Sequence, residues 1–164
     1  MKKRIVIAVV ALLVICLTIF YIGYEPKGPY DDMFDSKEKI AMQDQFKAKK
    51  EENVKLENGS YQYTAEGFSG TKTIWQYDAK EEDTIHFSYK LYGEFGKEML
   101  VLVRPNQTVL RIAGGGGARR SVGGVSSEDS EFKVVKGLYK LKVVGADNPN
   151  ISITLKISQG TWVK

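Results

Sequence analysis

The sequence predicts a mainly β protein: an antiparallel β-sandwich of the jelly-roll or Ig-like kind, preceded by an N-terminal transmembrane helix and a short juxtamembrane helix. Three observations carry that reading. From residue 54 onward, apolar residues alternate with polar ones and are interrupted at short intervals by turn-forming clusters. Residues 5–22, IVIAVVALLVICLTIFYI, form one uncharged run directly behind Lys2, Lys3 and Arg4. Between the two lies SKEKIAMQDQFKAKKEEN, which contains many helix formers and neither Gly nor Pro. The chain therefore divides into a cytoplasmic stub with a signal-anchor (1–24), a spacer with a polar helix (25–53) and a sandwich domain (54–164).

The apolar run, bounded by Ile5 and Ile22, has the length of a membrane span. A helix of that length covers about 27 Å, close to the ~30 Å of a bilayer's hydrocarbon. Lipid offers no partner to an unpaired amide, so a helix is the form expected there. Tyr21 and Tyr24 suit an interfacial belt. A cleaved signal peptide is the competing reading. Against it stand the length of the run and the bulky Ile19, Phe20, Tyr21 and Ile22 where a small-x-small site would fall. A lipid-modified cysteine needs a small residue before it, and Ile15 precedes Cys16. The basic flank places the N-terminus in the cytoplasm and the remainder outside, in a single-pass cell-membrane protein whose first partner is the lipid bilayer.

Charge excludes one class of partner. Three of the 24 basic residues precede the run and all 20 acidic ones follow it, so the outer portion is near neutral. The pI of about 9.0 reflects the insertion signal and gives no ground for nucleic-acid binding. Cys16 is the only cysteine, so the outer domain has no internal disulfide and no thiolate metal site.

Residues 25–35 read as a spacer, with Pro26, Gly28 and Pro29. Asp35 and Glu38 have capping-box spacing, and a surface helix is expected over 36–52 with a thin apolar face of Ile40, Met42 and Phe46. The period then changes to two. Residues 54–56 and 60–65 flank Asn58-Gly59, a hairpin signal. Residues 71–79 form the next strand, and Ile85, Phe87, Tyr89 and Leu91 alternate with His86, Ser88 and Lys90. Both parities are apolar over 99–103, which predicts a strand covered on both sides. Strands follow at 108–112, 131–135, 138–144 and 151–157. The core is expected from the odd-numbered residues of 85–91, 139–143 and 151–157.

The stretch FKVVKGLYKLKVVGADNPNISITLKI, with EMLVLVRPNQTVL before it, resembles the closing strands of small extracytoplasmic sandwiches of Gram-positive bacteria. Those are lipoproteins or membrane-anchored proteins that mostly lack an assigned function. The resemblance covers about residues 84–158. It implies fold and location and brings no catalytic residue with it.

Candidate sites are few. His86 is the only histidine, and its parity sets it on the outer sheet surface, without a second histidine for a metal site. The run AGGGGARRSVGG (113–124) offers consecutive amides with Arg119 and Arg120 for an anion or partner contact. It lacks the ending of a phosphate loop, no helix follows it, and a flexible loop between two strands is the plainer reading. Trp75, Tyr77, Trp162, Tyr61 and Tyr63 suit either a flat platform for sugar rings or core packing. Glu81, Glu82 and Asp83, or Asp147 with Asn148 and Asn150, have calcium-ligating oxygens without EF-hand spacing. No cofactor is expected. No nucleophile–base pair or carboxylate pair stands out, so an anchored hydrolase is the weakest reading and no enzyme is expected. The function expected is a non-catalytic interaction or accessory module contacting an unidentified envelope protein, with a surface glycan-binding module as the alternative.

Overall fold

The computed structural model describes residues 28–42, 44–116 and 122–163. The expected span at 5–22 lies outside the described residues. Within them, no helix is long and apolar enough to cross a membrane.

The described chain opens with a 3-10 turn, Asp31–Met33, and one short helix, α1, Lys37–Ala41. The strands are β1 Gln45–Lys47, β2 Lys50–Lys55, β3 Tyr61–Glu66, β4 Ser69–Ala79, β5 Asp83–Glu94, β6 Lys97–Val103, β7 Val109–Gly116, β8 Val122–Val134, β9 Gly137–Ala146, β10 Asn150–Ile157 and β11 Thr161–Trp162. They form two sheets. The six-stranded sheet has the order β1-β4-β9-β6-β7, with β11 also on β4, and the five-stranded sheet has the order β2-β3-β10-β5-β8. Within the two sheets β6 pairs with β7, β5 with β8, β4 with β9 and β3 with β10, all antiparallel. The chain is thus one long antiparallel hairpin rolled into two layers, which makes the sandwich a jelly roll.

Alternation dictates which residues meet between the layers. Ile85, Phe87, Tyr89 and Leu91 from β5 face Leu141 and Val143 of β9, with Ile151, Ile153 and Leu155 of β10 beside them, all buried. Each such burial is worth roughly 1.5–3 kcal/mol. Only Ile157 among the expected core residues is half-buried.

The expected helix over 36–52 is overturned. Ser36, not Asp35, caps α1, accepting from the Lys39 amide at 3.3 Å. The helix ends at Ala41, and Met42 is already extended. Residues 45–47 and 50–55 are strands, so β1 and part of β2 belong to the sandwich rather than to a spacer. The charges of that stretch stay exposed, now along strands rather than a helix. Glu51 lies on the inward side of β2 and accepts from Lys72 Nζ at 2.9 Å through both oxygens. Lys72 is itself buried between the rings of Phe46 and Tyr63. Propensity favoured a helix there, and pairing with β3 and β4 prevails over it.

The segment 28–42 explains why both parities of 99–103 are apolar. Leu100 and Leu102 point into the sandwich, whereas Met99, Val101 and Val103 point out beneath Ile40, Ala41 and Phe34. Lys142, on the same outer side, is fully buried; its ammonium donates to the Met42 carbonyl at 2.6 Å and pairs with Asp44 at 3.0 Å. Asp44 also accepts from the Thr73 amide and hydroxyl, at 2.8 and 2.9 Å. Burial pushes the Lys142 amine below its ordinary value, and Asp44 opposes that shift.

Candidate functional site

The aromatic platform read from the sequence does not form. Trp75, Tyr63 and Tyr61 are buried, and Trp75 donates its indole N–H to the Gln159 carbonyl at 2.8 Å. Trp162 stacks on Tyr61 with ring centroids 4.1 Å apart, and Tyr77 lies beside Trp75. Tyr61, Tyr63 and Trp75 point inward, and Tyr77 and Trp162, half-buried, pack against the same core. Their role is packing.

Arg119 and Arg120 lie outside the described residues. Their flanks are regular strand: Gly116 pairs with Lys97, and Val122 with Glu94. His86 is exposed on the outer surface of the five-stranded sheet, where its backbone bonds to Ser158. Two of the turn residues use their oxygens in hydrogen bonds. Asp83 accepts from the Thr84 amide and from Tyr77 Oη, and Asn150 accepts from the Gly67 amide. Among the described residues no group of three or more His, Cys, Asp or Glu is placed to hold a metal.

The surface that offers a candidate site was not singled out in sequence. It is the outer face of the five-stranded sheet, which nothing among the described residues covers. The register builds it row by row. Glu52, Thr64, Ser152 and Tyr92 stand in one cross-strand row. Val54, Gln62, Thr154 and Lys90 stand in the next, and Lys50, Glu66, Asn150 and Glu94 in the row on the other side. Strands about 4.8 Å apart and alternate residues about 6.6 Å apart make this a regular grid of hydroxyl, amide, carboxylate and ammonium groups.

One large ring rises from the grid. Tyr92 is 41% exposed, and its hydroxyl donates to Glu94 Oε1 at 3.2 Å. Desolvation, and then Glu94, hold its phenol above the ordinary tyrosine range, so it stays a neutral donor. Gly124 lies opposite Tyr92 on β8, where a Cβ would fall 3.5 Å from the ring's Cδ2. A shallow cavity of about 300 Å³ sits against Tyr92, lined by Thr64, Glu66, Glu94, Asn150, Ser152 and Lys50. A second, of about 410 Å³, lies further along the same face among Ser88, Lys90, Ser127, Thr154 and Lys156.

Other concavities differ in kind. A larger one, about 540 Å³, lies at the edge of the 28–42 segment between Met33, Met42, Gln45 and Lys140, and the Lys39–Asp32 ion pair borders it. One of about 310 Å³ at the far end is bounded by Arg104, Pro105, Lys133, Val135 and Tyr139.

No family model matches the chain, and no curated protein matches it. Several solved structures align with it at low similarity. One is the carbohydrate-binding module of Cellvibrio mixtus lichenase 5A in complex with cellotriose, at 10% identity and a TM-score of 0.36, covering 70% of this chain and 89% of that one. Another is TmCBM61 in complex with β-1,4-galactotriose, at 10% identity and a TM-score of 0.37, covering 74% and 91%. A third is the pre-peptidase C-terminal domain of a Bacillus anthracis collagenase, at 12% identity and a TM-score of 0.33, covering 70% and 89%. Likeness at this level assigns no ligand to this chain.

Proposed function

We propose that this protein is a non-catalytic β-sandwich module that binds a glycan on the open face of its five-stranded sheet, and that residues 5–22 hold it at a membrane. The observation that carries the reading is the uncovered grid around Tyr92. A sugar ring has an apolar C–H face and a rim of hydroxyls. The first calls for an exposed aromatic ring, and the second for closely spaced donors and acceptors. Tyr92 supplies the ring, and Thr64, Ser152, Asn150 and Glu94 supply the rim.

Charge favours a neutral or weakly charged ligand. Lys50, Lys90 and Lys156 alternate on this face with Glu52, Glu66 and Glu94, so neither sign prevails. A protein partner is the weaker reading, because the exposed apolar side chains are scattered. Met42, Val54, Leu110, Val135 and Leu138 lie on different elements rather than in one patch.

The test is binding of the full-length protein to an oligosaccharide array that includes cellotriose and β-1,4-galactotriose, alongside co-sedimentation with peptidoglycan sacculi. Tyr92→Ala is expected to weaken the retained ligand about tenfold, the equivalent of ~1.4 kcal/mol, with melting unchanged. Wild-type protein that retains no glycan, or an equal affinity in Tyr92→Ala, contradicts the reading.

A further inference from the structure

The sandwich has two ends, and the chain ties one of them to its N-terminal run. Gly28, the first described residue, packs on Ser69 at the start of β4, and the Tyr30 amide donates to Ser69 Oγ at 3.0 Å. Gly70 pairs with Gly145, and Glu98 with Gly145 from the other side. The start of β4, the end of β9 and the start of β6 therefore lie side by side. Phe34, from the same leading segment, receives Lys97 Nζ over its ring at 5.7 Å. The turn between β5 and β6 is at this end too.

That turn is Phe95-Gly96. Its two residues have φ of 60° and 68°. Those are the signs of a type I′ turn, for which Asn-Gly is the favoured pair. An aromatic residue gains nothing from the left-handed region and is not favoured there on steric grounds. Here it is held at the tip and is 51% exposed. Gly96 fixes the turn, since a Cβ would fall 2.6 Å from the Ala146 carbonyl oxygen. An unfavourable backbone position thus presents a bare ring to the outside, beside a lysine.

The tether length says what the ring meets. Six residue steps separate Ile22 from Gly28, and a fully extended chain covers at most about 3.6 Å per residue. With residues 5–22 in a bilayer, Gly28 stays within about 20 Å of its edge. β6, which leaves this end, is 7 residues long. At about 3.3 Å per residue the Arg104–Thr108 turn that follows it lies about 23 Å further out.

From this geometry we infer that the β5–β6 end of the sandwich rests on the bilayer, with Phe95 inserted at the headgroup level. Aromatic rings favour that interface, and the Lys97 ammonium, over the Phe34 ring and 3.9 Å from Asp147, is within reach of lipid phosphates by a rotamer change. The domain then stands upright. Its open face looks sideways along the membrane, free for a ligand. The inference rests on the membrane-anchor part of the proposed function and not on the glycan part.

The experiment uses the full-length chain with Cys16→Ser, carrying a nitroxide at Phe95→Cys, at Asn106→Cys on the far turn, or at Thr64→Cys on the open face, in phosphatidylcholine–phosphatidylglycerol liposomes. Flotation is measured first, and then relaxation of each nitroxide by oxygen and by a water-soluble nickel chelate. The expected result is co-flotation, with oxygen dominating at position 95 and nickel at 106 and 64. Co-flotation with position 95 as open to nickel as 106 overturns this inference and leaves the anchor standing. Protein that stays at the bottom of the gradient overturns the anchor and this inference together.

Discussion

The two sheets share an inner chemistry and part company on their outer faces. On the six-stranded sheet, Met99, Val101, Val103 and Val144 point outward, and the 28–42 segment closes over them with Ile40, Ala41 and Phe34. Even a cation on that face, Lys142, is fully buried against Asp44 and the Met42 carbonyl. On the five-stranded sheet the outward positions are Thr64, Gln62, Ser152, Thr154, Lys90 and Tyr92, and no described element crosses them. Apolar outward residues demand a cover, because an exposed patch of that size costs solvation and invites association. Polar outward residues demand none. The comparison teaches that one face was built to be closed by the chain itself and the other to stay available.

Breaking the closed face should be costly. Asp44→Ala leaves the Lys142 ammonium without its counter-charge and Thr73 without its acceptor. A loss of about 3 kcal/mol is expected from the unpaired buried charge, read as a lower midpoint in urea unfolding. An unchanged midpoint would show that the Met42 carbonyl alone suffices.

The next comparison is of matched size. Ile40→Ala under the cover should cost about 2–4 kcal/mol. Thr64→Ala on the open face should fall within about 0.5 kcal/mol of wild type. Equal losses at the two positions would erase the distinction between the faces.

The smallest effect is expected at Glu98, whose half-buried carboxyl fills the space left by Gly93 between the sheets. Burial pushes its pKa above the usual carboxylate value, with a backbone hydrogen bond opposing. The folded state therefore holds this proton more tightly than the unfolded one. The carboxyl contributes stability in acid that is lost as pH rises above about 4.5. Glu98→Gln should flatten that decline and leave neutral-pH stability equal or slightly higher. A steeper decline in unfolding measurements between pH 4 and 7 would contradict the assignment.

Much of this molecule was legible in its residues. Alternation over 85–91, 139–143 and 151–157 named the core, and Asn58-Gly59, with Gly59 at φ 79°, named a hairpin. Doubly apolar 99–103 announced a covered strand without saying what covers it. The failures have physical causes. KEENVK, β2, is an edge strand whose charges either face solvent or, like Glu51, find a buried partner on another strand, and local propensity reads neither. The site escaped for a related reason. Its residues come from β2, β3, β5 and β10, are polar and ordinary one by one, and become a surface only through register. The aromatics that drew attention, Trp75 and Tyr63 above all, are conspicuous because they are core. Tyr92 broke the parity of its own strand's buried rings, Phe87 and Tyr89, and that was the one available signal.

The central claim is that ligand meets the molecule on the open sheet. Amide hydrogen exchange of the full-length protein, with and without the oligosaccharide it retains most tightly, tests this directly. The account predicts added protection confined to β3, β5 and β10 around Thr64, Tyr92 and Ser152. Protection centred instead on the 28–42 cover or on the Arg104–Thr108 turn would contradict it.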